Sequence, residues 1–176
     1  MNAILYATNT GSAECYAKLF AAETGLPVYA LSEAKNKLSA GDEVIFFGWI
    51  MACTVKGYAK AARCYKVRAV CAVGMGKTGT QTDVVRKKTA IPDNIPLYTL
   101  QGNFHIQKLH GFYRLMMQIM VKAVEKGLSE KSNRTPEEDD MLDMILHNGD
   151  RVKAENLHAV LDWYNTPGAA GSGHSL

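Results

Sequence analysis

Short apolar segments alternate with amphipathic segments over the first hundred residues of the chain. The apolar segments predict five strands, at residues 3–7, 27–31, 44–48, 67–73 and 95–100. The third segment, Val44-Ile45-Phe46-Phe47-Gly48, contains no polar residue, which is typical of a strand in the middle of a parallel sheet. Regular strand–helix alternation predicts an α/β fold with a doubly wound, five-stranded parallel sheet and helices on both faces.

The segments between these strands have helical character. Tyr16, Leu19, Phe20 and Thr24 fall on one side of a helix, and Gly25 stands where that helix would end. Ser32 is expected to cap a short polar helix. Two more short helices are predicted at residues 57–63 and 82–88.

The pattern changes after Gly102, where longer helical segments begin. Helices are predicted at residues 108–126, 136–147 and 154–164, and the second has an acidic first turn that suits the helix dipole. We therefore expect a single domain over residues 1–165, with a helical insertion at about 103–150. Residues 166–176 are rich in Pro, Gly and Ser and predict a flexible tail.

Composition narrows the class of protein. The chain has 176 residues, of which 47% are hydrophobic, and this is the size and make-up of one globular domain. Residues 1–6 have no signal-peptide pattern, and no apolar run is long enough to span a membrane. The cysteines form no C-x-x-C pair, so we expect no metal site, and free thiols in a reducing, cytoplasmic compartment: Cys15, Cys53, Cys64 and Cys71.

The net charge of +3 is unevenly distributed. Residues 56–88 carry nine Lys/Arg and one acid, whereas residues 129–143 carry six acids and two basic residues. Two solvated faces would explain this, and so would a docking surface for an anionic protein, cofactor or lipid headgroup. The basic stretch is interrupted by an apolar strand and has no base-stacking motif, so we expect no nucleic-acid partner.

The candidate chemistry lies where the first strand ends. The segment Thr8-Asn9-Thr10-Gly11-Ser12-Ala13 runs directly into the first predicted helix. Backbone N–H groups at a helix start bind phosphate without Lys or Arg, the hydroxyls add donors, and Gly11 permits close approach. An ordinary helix cap is the alternative interpretation of the same residues.

The sequence of that segment resembles the phosphate loop of flavodoxins, (S/T)-x-T-G-x-(T/A). The resemblance covers about residues 1–102. It implies FMN as cofactor and a strand order of 2-1-3-4-5. By the same resemblance, the other flavin loops follow the third and fourth strands. They are Trp49-Ile50-Met51-Ala52-Cys53-Thr54 and Gly74-Met75-Gly76-Lys77-Thr78-Gly79, with Gly74 to Lys77 expected at the cofactor.

Two features of these loops have other interpretations. Trp49 stands where flavodoxins often stack an aromatic ring on the isoalloxazine, but an ordinary core or rim tryptophan is the alternative. Residues 74–79 also match the motif G-x-G-x-x-G. Because they follow the fourth strand rather than the first, they do not predict a dinucleotide site.

The insertion resembles the corresponding region of the menaquinone-dependent protoporphyrinogen IX dehydrogenases, which are flavodoxin-like enzymes. The likeness is an aromatic and basic start at residues 104–114 followed by a Met-rich helix with Lys, including Met116, Met117 and Met120. This stretch, 104–126, is expected either to pack on the sheet, to cover the flavin or a flat apolar substrate, or to contact a membrane peripherally at its inner face. His105 and His110 are candidate proton donors, with a solvent-facing role as the alternative.

Three function classes follow. The first is an FMN oxidoreductase acting on a tetrapyrrole or a quinone, and the second is a flavodoxin-type electron carrier for a separate redox partner protein. The third is a flavin-free interaction module. Typical flavodoxins are acidic and dock on basic partners, whereas this chain is basic, so we expect a less negative flavin potential. No residue is predicted as the catalytic acid or base.

Overall fold

The computed structural model describes residues 1–103, 111–131, 133–147 and 150–168. Strands β1 to β6 in these ranges are Ala3–Ala7, Val28–Ala30, Glu43–Met51, Thr54–Val55, Lys66–Gly74 and Leu97–Gln101. Helices α1 to α6 are Ser12–Thr24, Tyr58–Cys64, Thr82–Thr89, Gly111–Ser129, Pro136–His147 and His158–Tyr164. The predictions for residues 108–110, for His105 and His110, and for the tail beyond residue 168 lie outside the described residues.

Five strands form one parallel sheet in the order β2-β1-β3-β5-β6. A sixth strand, β4, lies off this path and pairs antiparallel with the end of β3. The predicted α/β fold with a parallel sheet is confirmed. The sheet has six strands rather than the predicted five because β4 is added. The strands predicted as the fourth and the fifth are therefore β5 and β6.

Helices cover both faces of the sheet, so the central strands are apolar on both sides. On one face, α1 and α6 bury Tyr16, Phe20 and Val160 against Phe47 of β3. On the other face, α2 and α3 pack on Phe46 and its neighbours. This is the double layer that the unbroken apolar run of the third strand predicts.

The largest departure from prediction is at the third strand, which continues to Met51 instead of ending at Gly48. Gly48 stays inside the strand because β4 folds back over it, and a Cβ there would lie 2.5 Å from Cγ1 of Val55. Trp49, Ile50 and Met51 are therefore strand residues, and their prediction as a loop is wrong.

Smaller corrections concern helix ends. Ser32 caps no α-helix, because the segment after β2 is a single 3₁₀ turn, Ala34–Asn36, with Glu33 at its start. The helix predicted at 154–164 is a 3₁₀ turn, Ala154–Leu157, followed by α6. By contrast, α1 ends as predicted at Gly25, which has φ 69° and donates its N–H to the carbonyl of Ala21.

The described part of the insertion consists of α4 and α5. Thr135 and Glu138 form a capping box at the start of α5: Glu138 accepts from the Thr135 N–H at 2.9 Å, and Thr135 Oγ1 accepts from the Glu138 N–H at 3.3 Å. On α4, Leu115 and Ile119 are 57% and 63% exposed. In the described ranges no helix is both long and apolar enough to cross a membrane.

At the amino end of the sheet, Glu43 holds a small ionic cluster. Its Oε1 lies 2.9 Å from Lys66 Nζ and 2.7 Å from Arg68 Nη1, and its Oε2 lies 3.7 Å from the N-terminal amine of Met1. The hydrogen bonds from Lys66 and Arg68 lower the pKa of Glu43 from 4.5 to about 2. The charged carboxylate is thus favoured in the folded chain.

A Glu43→Gln variant should lose about 1–2 kcal/mol of unfolding free energy at pH 7. Because the folded-state pKa is depressed, this contribution is present above pH 4.5 and is lost as the pH falls toward 2. Urea unfolding at several pH values measures it. Glu23→Gln, on an exposed glutamate of α1, is the control, and an equal deficit for Glu43→Gln at pH 7 and pH 3 would contradict the account.

Candidate functional site

The carboxyl ends of neighbouring parallel strands meet at one edge of the sheet. β1, β3 and β5 are adjacent and parallel, so the segments that follow them lie side by side. The chain continues from β1 through α1 to β2 on one side of β1, whereas β3 lies on the other side. In open α/β sheets, ligands bind at such a reversal of strand order.

The segment after β1 forms an open helix start. Thr8 Oγ1 accepts the N–H of Gly11 at 3.0 Å, and Gly11 adopts φ 99°, a conformation that favours glycine. Among the residues that the structure describes, a Cβ on Gly11 would meet no heavy atom within 4 Å, and no side chain caps α1. First-turn N–H groups and the positive end of the helix dipole are therefore available to an anion.

Polar side chains next to this helix start are arranged as donors. Ser12 is buried, and its Oγ accepts the N–H of Asn103 at 3.0 Å, so the hydroxyl can in addition donate its own hydrogen. In the described part of the chain, the Asn9 side-chain nitrogen is buried and has no acceptor. Because burying an unpaired donor is costly, Asn9 fits a site completed by a negatively charged ligand.

The end of β3 and the two residues of β4 form a hairpin, where a loop was predicted. Ala52 and Cys53 form its two-residue turn at φ 48° and 59°, and Thr54 begins β4. Strand alternation puts Trp49 on the α1 face of the sheet with Phe47. Of the segment predicted as a loop, only Ala52 and Cys53 form a turn, at the carboxyl end of β3.

The segment after β5 is held against the end of β6. Gly79 donates its N–H to the Thr99 carbonyl at 3.0 Å, and Gln101 donates its N–H to Thr78 Oγ1 at 3.0 Å. At Gly74 a Cβ would lie 3.0 Å from Ile50 Cδ1, so glycine lets the β3 hairpin pack over the strand end. Gly74, Met75, Gly76 and Lys77 thus lie at the same edge as the other two segments, with Lys77 exposed.

The basic stretch is divided between the two edges of the sheet. Lys66 and Arg68 begin β5 and pair with Glu43 at the amino edge, and Arg86 donates to backbone carbonyls of residues 91, 92 and 95. Lys60 lies at the carboxyl edge, where it lines a cavity of about 340 Å³ together with Thr8. The charge near the candidate site is therefore smaller than the sequence count suggests.

Several polar residues of this edge were missed in the sequence. Tyr16, predicted as an apolar helix residue, donates its hydroxyl to the Gln101 carbonyl at 2.6 Å and accepts from Asn156 Nδ2 at 2.7 Å, and burial raises its pKa. The sequence analysis predicted no function for Asn103, which lies where the predicted insertion starts. The signal in the sequence was the position of Tyr16 on the apolar side of the predicted helix, because the hydroxyl of a buried tyrosine needs a hydrogen-bond partner.

No protein-family model, curated protein or solved structure matches this chain. Within the described residues, no group of His, Cys, Asp and Glu side chains is arranged to hold a metal ion. The four cysteines are free thiols, and burial raises the pKa of Cys71 well above its usual value. The arrangement at the carboxyl edge is suited to anion binding.

The backbone conformation of the turn at Ala52 and Cys53 should lower the thermal stability of the protein. Its geometry, with two successive positive φ angles, is normally occupied by Asn-Gly, and a residue with a Cβ in this region costs about 1 kcal/mol. The double variant Ala52→Asn/Cys53→Gly should therefore raise the melting temperature. As a control, Ala59→Gly in the exposed part of α2 should lower it, and a double variant less stable than the parent would contradict the assignment.

Proposed function

We propose that this chain is an FMN-binding, flavodoxin-like redox protein. The observation that carries the proposal is the open start of α1 at the strand-order reversal, where, among the described residues, Gly11 leaves space and Asn9 has a buried, unpaired donor. The FMN phosphate would be held there by backbone N–H groups and by the hydroxyls of Thr10 and Ser12. When bound, the isoalloxazine would supply the electron-transfer chemistry.

The remaining cofactor contacts are proposed at the neighbouring segments. Trp49 is half-buried on the α1 face beside the helix start, a position suited to contact with a flat aromatic ring. Gly74 and Gly76 bring backbone close to the same edge. The role of these residues is to orient the ring and to limit its contact with water.

The partner of such a redox protein is proposed in two forms. A tetrapyrrole or a quinone would be oxidised or reduced directly, and a separate redox protein would exchange electrons at the exposed flavin edge. Turnover assays with protoporphyrinogen and a quinone separate the two forms, because a simple carrier would show none. Peripheral membrane contact by residues 104–126 belongs to the first form, with Leu115 and Ile119 exposed on α4.

An FMN titration followed by quenching of flavin fluorescence tests the cofactor directly. Thr10→Val removes a proposed phosphate donor, so we expect saturable one-to-one quenching in the parent and about tenfold weaker binding in the variant. Gly11→Val should weaken binding further, because valine strains the backbone at φ 99° and fills the open space.

Thr24→Val, at the opposite end of α1, is the matched control and should leave FMN affinity unchanged. Absence of quenching in the parent at tens of micromolar FMN would contradict the proposal. Equal loss in the Thr10 and Thr24 variants would instead assign the effect to α1 stability.

Lys77, at the carboxyl edge of the sheet, should affect the redox potential of a bound flavin. A positive side chain there favours the more negatively charged reduced state, so Lys77→Gln should make the midpoint potential of bound flavin about 10–20 mV more negative. Lys66→Gln makes the same charge change at the amino end of β5 and should have no effect. Equal shifts in both variants would contradict a local origin.

A further inference from the structure

The two ends of the insertion meet at the side chain of Asn103. Asn103 follows β6 at the start of the insertion, and its Oδ1 accepts the N–H groups of Arg151 and Val152 at 2.5 and 3.1 Å. This amide oxygen therefore joins the returning chain to the departing chain, beside the Tyr16 hydroxyl, which lies 2.6 and 3.3 Å from the carbonyl oxygens of Gln101 and Arg151. Satisfying two backbone donors with one acceptor makes this junction sensitive to loss of that oxygen.

The same junction holds α5 against the sheet edge. Gln101, the last residue of β6, donates its side-chain amide to Asp140 Oδ2 at 2.7 Å. The Arg151 guanidinium lies 3.1 Å from Asp140 and 2.6 Å from Asp143. The Arg151 side chain is 22% exposed, whereas those of Asp140 and Asp143 are 41% and 51% exposed, so water screens these ion pairs substantially.

The junction also contacts the start of α1. The backbone N–H of Asn103 donates to Ser12 Oγ at 3.0 Å, and Tyr16, one helical turn later, donates to the carbonyl of Gln101 at 2.6 Å. Gly102 between them has no room for a side chain, because a Cβ would lie 2.8 Å from Val73 Cγ1 and 3.1 Å from Ser12 Cβ. The helix start and the insertion junction are thus in direct contact.

We propose that Asn103 is a positioning residue that couples docking of α5 to anion binding at the start of α1. This inference rests on the proposed function. An anion that accepts the Ser12 hydroxyl hydrogen polarises Ser12 Oγ and strengthens its bond from Asn103. The junction then holds α5 more firmly, and by linkage a firmly docked α5 raises the affinity for the anion.

Backbone hydrogen exchange of α5 in the full chain, with and without FMN, measures this coupling. In the parent, FMN should slow exchange in residues 136–147. Asn103→Ala removes the side-chain acceptor but keeps the backbone donor to Ser12, so FMN should no longer slow α5 exchange and FMN affinity should fall about fivefold.

Two further variants separate positioning from a general loss of structure. Asn103→Asp keeps the acceptor oxygen and should restore the protection of α5 in the absence of ligand. Asn165→Ala makes the same truncation at the exposed end of α6 and should change neither FMN affinity nor α5 exchange. Unchanged FMN affinity in Asn103→Ala would overturn the proposal, as would FMN binding that leaves α5 exchange unaltered in the parent.

A measurement without ligand distinguishes this proposal from the proposed function. Ser12→Ala removes the acceptor of the Asn103 N–H, so it should speed α5 exchange, and its effect should not add to that of Asn103→Ala. If FMN does not bind but this coupling is seen, the FMN proposal fails and the junction stands. Independent, additive effects of the two substitutions would overturn the junction itself.

Discussion

Parallel pairing of three strands that are buried on both faces is the constraint on which the rest of the structure depends. β1, β3 and β5 satisfy their backbone polar groups within the sheet, and helices on both faces exclude water from their side chains. Polar backbone groups are therefore left unsatisfied where strands give way to helices. The start of α1 is such a place, and it lies between segments that the sheet brings to one edge.

Close packing at that edge depends on positions where a side chain is excluded. Gly48 admits the β4 hairpin over β3, and Gly102 admits the insertion junction beside Ser12. The edge is consequently built from backbone and short polar side chains, with charges placed around it. Such a surface suits recognition by fixed N–H groups and dipoles, which require little reorganisation when an anion binds.

Sequence periodicity predicted the elements that owe their structure to local pattern. α1 with Gly25 at its end and α5 with its acidic first turn are examples, since propensity and capping act within one turn. β4 was not predictable in this way, because Ala52-Cys53 lacks the Asn-Gly signal of its turn type.

The rest of the candidate site depends on contacts between residues distant in sequence. Asn103 meets Ser12 and Arg151 only in the folded chain, so no local pattern marks it. Charge counting was misleading for the same reason, because Lys66 and Arg68 are near Lys77 in sequence and lie at the opposite end of β5.

We propose that the start of α1 binds the phosphate of FMN at the carboxyl edge of the sheet. Amide chemical shifts of the full chain during an FMN titration test it most directly, because they report on each backbone N–H separately. The account predicts the largest saturable shifts at Gly11, Ser12 and Ala13, with smaller ones around Trp49 and Gly74. Saturable shifts confined to other segments, or no shift at residues 11–13, would contradict it.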